Sequence, residues 1–166
     1  MMHEIHLTYL NGPDIEALDL TAEEILGAVE RALDAQGRKE AVIEPRVHLI
    51  PKDPSHGHFN VLRGVLHPLE LAGVKVVGDF VDNYKSGLPS EMALLTLFDP
   101  STGAPLAILN ATSLTDMRTG AVTALGAKYL ARKGSRILGH IGARGTAYWN
   151  VRLLSHLFDF EEIRIH

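Results

Sequence analysis

Cysteine is absent from this chain of 166 residues, which removes both a disulfide framework and a thiolate metal site. Charge of one sign is not in excess either: 16 basic side chains stand against 20 acidic ones, and the basic residues are dispersed. That balance argues against a nucleic-acid surface. No apolar run approaches the ~20 residues that span a bilayer, and MMHEIHLTYL lacks the basic-then-apolar order of a signal peptide. A cytoplasmic setting, with no membrane and no nucleic-acid partner, is the expectation. Repeats and low-complexity segments are missing as well. What remains is 46% hydrophobic and 22% charged, ordinary globular material, enough for one full core or for one domain and part of another.

The clearest helix is TAEEILGAVERALDAQG. Thr21 and Glu24 form a capping box, Ile25, Leu26, Val29, Ala32 and Leu33 share one face, and Gly37 is placed to end it in a left-handed cap. VHLIP, FNVLRGVL and GVKVVGDF read as strands bounded by Pro, Gly or Asp. EMALLTLFDPSTGAPLAILN has the form of a β-hairpin around an Asp-Pro-Ser-Thr-Gly turn. A second capping pair, Ser113 with Asp116, predicts a helix running to about Arg132. RILGHI then reads as a buried strand, AYWNVRLLSHLF as a helix and EIRIH as the next strand.

This order divides the chain near residue 133. Residues 1–133 predict an α+β domain with a mainly antiparallel sheet, and 134–166 the opening βαβ of a Rossmann-type α/β fold. Such a unit alone cannot bury both faces of its sheet, so further strands are expected from a longer chain or from a partner.

The turn between that strand and helix is Gly142-Ala143-Arg144-Gly145-Thr146-Ala147. Against G-x-G-x-x-G/A, Gly142 fills the first position and Ala147 the last, which is the pattern of a dinucleotide turn or of an ordinary strand–helix turn. Arg144 takes the place of the second glycine. Its side chain must point away from a pyrophosphate, reshape the loop, or reach a phosphate with its guanidinium. Arg46, Lys75 and Arg118 stand out by position: a strand start, the middle of GVKVV, and the first turns of a helix. Lys75 among valines needs a partner or an edge strand from which to snorkel. Together the three cations suit an anion pocket, and singly each suits a solvated surface. His56 and His58 form a His-x-His pair without a third ligand at recognisable spacing, so no metal is expected. His140 reads as a core histidine, and Tyr148 and Trp149 as residues packing their helix onto the sheet.

GVKVV, the hairpin DPSTGAPLA, LTDMRTGA, and AKYLAR followed by an I-G-A turn occur in one order, and with them most of the chain resembles the ornithine cyclodeaminase/μ-crystallin family. The resemblance implies an NAD(P)-dependent enzyme that interconverts small amino acids with imino or keto acids, as a cyclodeaminase or ketimine reductase, and that forms a homodimer through its first domain. It implies that Arg46, Lys75 and Arg118 hold the substrate carboxylate and that Lys75 also handles a proton at the imine. Thr119 would lie near the nicotinamide and phosphates, with Gly142, Ala143, Arg144, Gly145 and Thr146 forming the pyrophosphate turn. Two departures count against a simple transfer: Arg144 breaks the usual G-x-G, and family members are much longer. The expectation is therefore the N-terminal half of such an enzyme, inactive by itself. The competing reading is a non-catalytic binding or scaffold protein of the same fold.

Overall fold

The computed structural model describes residues 4–53 and 56–166. In chain order it contains β1 (Thr8–Leu10), α1 (Gly12–Ala17), α2 (Ala22–Gly37), β2 (Ala41–Leu49), β3 (His58–Leu66), β4 (Leu71–Asp79), β5 (Glu91–Phe98), β6 (Pro105–Asn110), α3 (Thr112–Leu130), β7 (Ile137–His140), α4 (Gly145–Leu157) and β8 (Glu162–Ile165). These pack as two compact units: the chain up to Leu18 with Asp34–Thr112, and Asp19–Leu33 with Ser113–His166.

The first unit is built on a six-stranded sheet of order β1-β6-β5-β4-β3-β2. All its pairs are antiparallel except β1 with β6. The β5–β6 hairpin turns as its composition predicts. Oδ1 of Asp99 accepts from the Ser101 hydroxyl at 2.6 Å and the Ser101 amide at 2.7 Å, and these bonds hold the carboxyl below its ordinary range. Two elements go beyond the sequence expectations: the short strand β1 and α1, whose capping box joins Asn11 and Asp14 reciprocally at 2.8 and 3.0 Å.

Pleat alternation sorts the sheet's residues by face. Val77, Ala93 and Asn60 are buried on one side. The other carries Val47, Leu49, Phe59, Val74, Val76 and Leu94, cross-strand neighbours in register that remain 37–55% exposed.

In the second unit, Ile25 and Leu26 of α2, Ala121, Ala124 and Leu125 of α3, and Leu153 and Leu154 of α4 form the core. Each buried leucine is worth about 2 kcal/mol. The helices α3 and α4 approach so closely at Gly120 that a β-carbon there would lie 2.7 Å from the Trp149 carbonyl carbon. β7 and β8 pair in parallel from Ile137↔Glu162 to His140↔Ile165, so the strand–helix–strand order forms the expected βαβ.

Three local expectations need correction. The capping box at Thr21 and Glu24 forms, with bonds of 2.9 and 3.2 Å, but the left-handed residue beyond α2 is Lys39 (φ +62°), not Gly37. The chain stays helical through Gly37, and Glu40 N–H closes the end on the Ala35 carbonyl at 2.8 Å. The helix α3 starts at Thr112, so Ser113 lies inside it, and the Asp116 carboxylate is taken by Thr146 instead. Finally, Tyr148 is 62% exposed and does not pack on the sheet, whereas Trp149 does join the core.

Candidate functional site

The turn after β7 is the most specialised backbone of the second unit. Gly142 has φ +93°, a conformation that side-chain-bearing residues rarely adopt, and nothing lies within 4 Å of where its β-carbon would be. Its amide donates to the His166 carbonyl at 2.7 Å. Arg144 is the N-cap of α4 with φ −96° and ψ −177°, extended backbone open to any residue. Arginine in the second-glycine position therefore leaves the turn unstrained, and its side chain makes no capping bond. Gly145 and Thr146 open the helix, where first-turn amides lack partners within the helix. Open space beside Gly142, together with helix-start amides and a nearby guanidinium, fits a dinucleotide pyrophosphate.

Side-chain hydroxyls contribute less than their sequence positions suggest. The Thr146 hydroxyl donates to Oδ1 of Asp116 at 2.7 Å, and the Thr119 hydroxyl donates back to the Thr115 carbonyl at 2.8 Å. Each hydroxyl has one proton, so neither donates to an anion while these bonds persist. The donors left uncommitted at this turn are backbone N–H groups.

His140, at the end of β7, is half-buried and bonded on both ring nitrogens. Nδ1 lies 2.9 Å from the Gly142 carbonyl oxygen and Nε2 lies 3.1 Å from Nδ2 of Asn150 on α4. Sequence reasoning placed it in the core. What it misses is the Asn150 partnership, ten residues away, which no local pattern signals.

In the first unit, Lys75 sits on β4 opposite Leu62 of β3 and Leu95 of β5. It is half-buried in the middle of the sheet, so the edge-strand explanation for a lysine among valines does not apply. Arg46 is exposed on β2, at a bulge between Glu44 and Val47. The bulge leaves Pro45 and Arg46 facing Leu62, on the sheet face of Lys75. Arg63 steadies it, donating to the Pro45 carbonyl at 3.4 Å, with Glu44 3.9 Å away.

His48, His58 and Asn60 occupy the same face by register. The His48 and His58 rings are 5.3 Å apart, and Nδ2 of Asn60 lies 3.2 Å from Nε2 of His58. Sequence analysis missed this trio, because it needs cross-strand pairing to assemble. His56 instead pairs with Asp53 at 3.2 Å on the loop, apart from His58. Among the described residues, no group of three or more acidic or histidine side chains is arranged to hold a metal ion. Arg118 belongs to the second unit, exposed on α3.

Known proteins share this architecture. The alanine dehydrogenase of Archaeoglobus fulgidus is 36% identical over 157 residues, which cover 95% of this chain and 47% of that protein. An archaeal alanine dehydrogenase dimer solved with bound NAD superposes with a TM-score of 0.89 at 35% identity, over 96% of this chain and 48% of that one. Thermococcus litoralis Δ1-pyrroline-2-carboxylate reductase, in complex with NADH and L-proline, gives 0.90 at 35% identity, over 95% of this chain and 48% of its own. The chain thus spans about half the length of the relatives it matches. Residues 9–166 match the ornithine cyclodeaminase/mu-crystallin family, and the chain belongs to it.

Proposed function

We propose that this chain serves an NAD(P)-dependent enzyme of imine chemistry, a ketimine reductase or cyclodeaminase acting on a small amino or imino acid. The observation that carries the proposal is the turn at Gly142: left-handed, open on its β-carbon side and leading directly into the first turn of α4. Backbone amides of Ala143, Gly145 and Thr146, with the Arg144 guanidinium, would hold the pyrophosphate, and Thr119 would lie near the nicotinamide. When bound, the cofactor supplies hydride transfer to or from the carbon bearing nitrogen. Arg46 and Lys75, on one face of the first unit's sheet, would hold the substrate carboxylate, and Lys75, half-buried in that sheet, is the residue for moving a proton at the imine nitrogen. In this reading residues 1–133 bind substrate and dimerise, while 134–166 begin the dinucleotide domain.

The exposed apolar face of the six-stranded sheet supports a homodimer, since Val74, Val76 and Leu94 form a contiguous patch of the kind that proteins bury against a partner. A cytoplasmic location belongs to the same proposal. No described helix is long and apolar enough to cross a membrane. A scaffold without cofactor chemistry is the competing reading. Its sequence argument was Arg144, and the extended backbone there removes the conformational objection to a working turn.

The deciding experiment is titration with NADH and with NADPH, followed by nicotinamide fluorescence, with Gly142→Val and Arg144→Gly in parallel. Saturable binding that Gly142→Val abolishes supports the proposal. Absence of binding in both the native chain and Arg144→Gly rejects it. Turnover is expected only from a protein with a complete nicotinamide pocket, so steady-state turnover by the 166 residues alone would overturn the expectation that this chain is inactive by itself.

A further inference from the structure

We propose that His140 is a positioning residue for the glycine turn: a neutral imidazole, protonated on Nδ1, that clamps the Gly142 carbonyl and is itself clamped by Asn150. This rests on reading that turn as the dinucleotide site. The Gly142 carbonyl oxygen, 2.9 Å from Nδ1, only accepts, so Nδ1 carries the proton. Nε2 is then free to accept from the Asn150 amide at 3.1 Å, and both short contacts are satisfied by one neutral tautomer. The Asn150 carbonyl oxygen is buried with no hydrogen-bond partner in this orientation.

The clamp acts through the planarity of one peptide group. The carbonyl of Gly142 and the N–H of Ala143 point in opposite directions across a trans peptide. Pinning the carbonyl toward His140 therefore aims the Ala143 N–H away from the ring. The Gly142 amide is fixed separately, on the His166 carbonyl at 2.7 Å. A glycine is the residue with most freedom to turn its peptide planes, so this is where external hold matters most. Asn150, anchored on α4, makes the imidazole a strut between that helix and the turn.

The test combines histidine imidazole nitrogen NMR with His140→Phe and His140→Asn. The native protein is expected to show protonated Nδ1 and bare Nε2 for His140 at neutral pH. The opposite tautomer, or an imidazolium, overturns the proposal. His140→Phe keeps the ring's bulk and removes both bonds, so exchange of the Gly142 amide, which is bonded to the His166 carbonyl, is expected to rise, and NADH affinity to fall, by about tenfold each. His140→Asn places an amide donor near the Nδ1 position and is expected to recover much of both effects, which loss of packing would not explain. Native-like exchange in a folded His140→Phe protein overturns the clamp. Should the native chain fail to bind NADH, the cofactor reading fails, while tautomer and exchange still decide the clamp.

Discussion

Gly145 and Asp116 stand so close that a β-carbon on residue 145 would lie 2.8 Å from Oδ2 of the aspartate. The same carboxylate accepts from the hydroxyl of Thr146, the next residue, so a side chain of α3 is tied to the first turn of α4, whose own N-cap, Arg144, makes no side-chain capping bond. Gly145→Ala is expected to destabilise the protein by about 1 kcal/mol, by pushing the carboxylate off its bond to Thr146. In denaturant unfolding, Gly145→Ala placed on Asp116→Ala should cost much less than it does alone. Equal costs in both backgrounds would show that the overlap is not the cause.

Two glycines of α3 predict opposite outcomes. Gly120→Ala drives a methyl into the Trp149 backbone and should cost about 1–3 kcal/mol or more. Gly126 is exposed with nothing within 4 Å of its missing β-carbon, so Gly126→Ala should stabilise by about 0.5–1 kcal/mol. Thermal unfolding of the pair checks both, and a destabilised Gly126→Ala would refute the helix-propensity account.

Glu30 accepts from Lys128 at 2.7 Å and from the Tyr129 hydroxyl, and these bonds hold its carboxyl below the ordinary range, Lys128 contributing most. A carboxylate depressed in the folded state stabilises above its unfolded pKa and loses that contribution as pH falls through the folded one. Lys128 and Tyr129 are raised, chiefly by their bonds to Glu30, so their share is present at neutral pH and lost as pH climbs through their folded values. Melting temperature against pH at low salt should therefore flatten on both limbs in Glu30→Gln. An acid limb identical to the native one would exclude Glu30 as a contributor.

The apolar sheet face predicts association. Sedimentation equilibrium should report two copies per particle, and Leu94→Lys, in the middle of that face, should give single copies at the same concentration. A dimer indifferent to lysine at 94 would place the interface elsewhere.

Much of this structure is legible locally. β3 and β4 announce themselves through their apolar, β-branched runs, the β5–β6 hairpin through Asp99 to Gly103, and the βαβ through RILGHI, the glycine turn and the helix after it, whereas β2 begins at Ala41, six residues before the VHLIP segment that marks it in the sequence. Local legibility has a physical limit, shown by Asp116. Ser113-x-x-Asp116 satisfies the capping-box pattern, yet the carboxylate finds a better position against a turn 30 residues away. Gly37 and Lys39 show the same limit at a helix end, where the bond to Ala35 decides which residue turns left-handed. β1 is three residues long and pairs in parallel with β6, so no alternation develops to reveal it. Arg46, Lys75 and Arg118 are legible as unusual cations. That Arg46 shares the face of Lys75 depends on a bulge at Pro45, and bulges are settled by pairing. His48, His58 and Asn60 escape notice for the same reason.

The second unit draws on two distant stretches of chain, and this sets a schedule for biosynthesis. Ile25 and Leu26 leave the ribosome well before Ala121, Leu125 and Leu153, the residues that enclose them. At roughly 5–20 residues per second, the ~100 or more intervening residues take about 5–25 s to synthesise. Throughout that interval the first unit's sheet can form, while the oily stripe of α2 waits uncovered. A nascent chain stalled before α3 should therefore be the species that a holdase retains, and one stalled after α4 the species it releases.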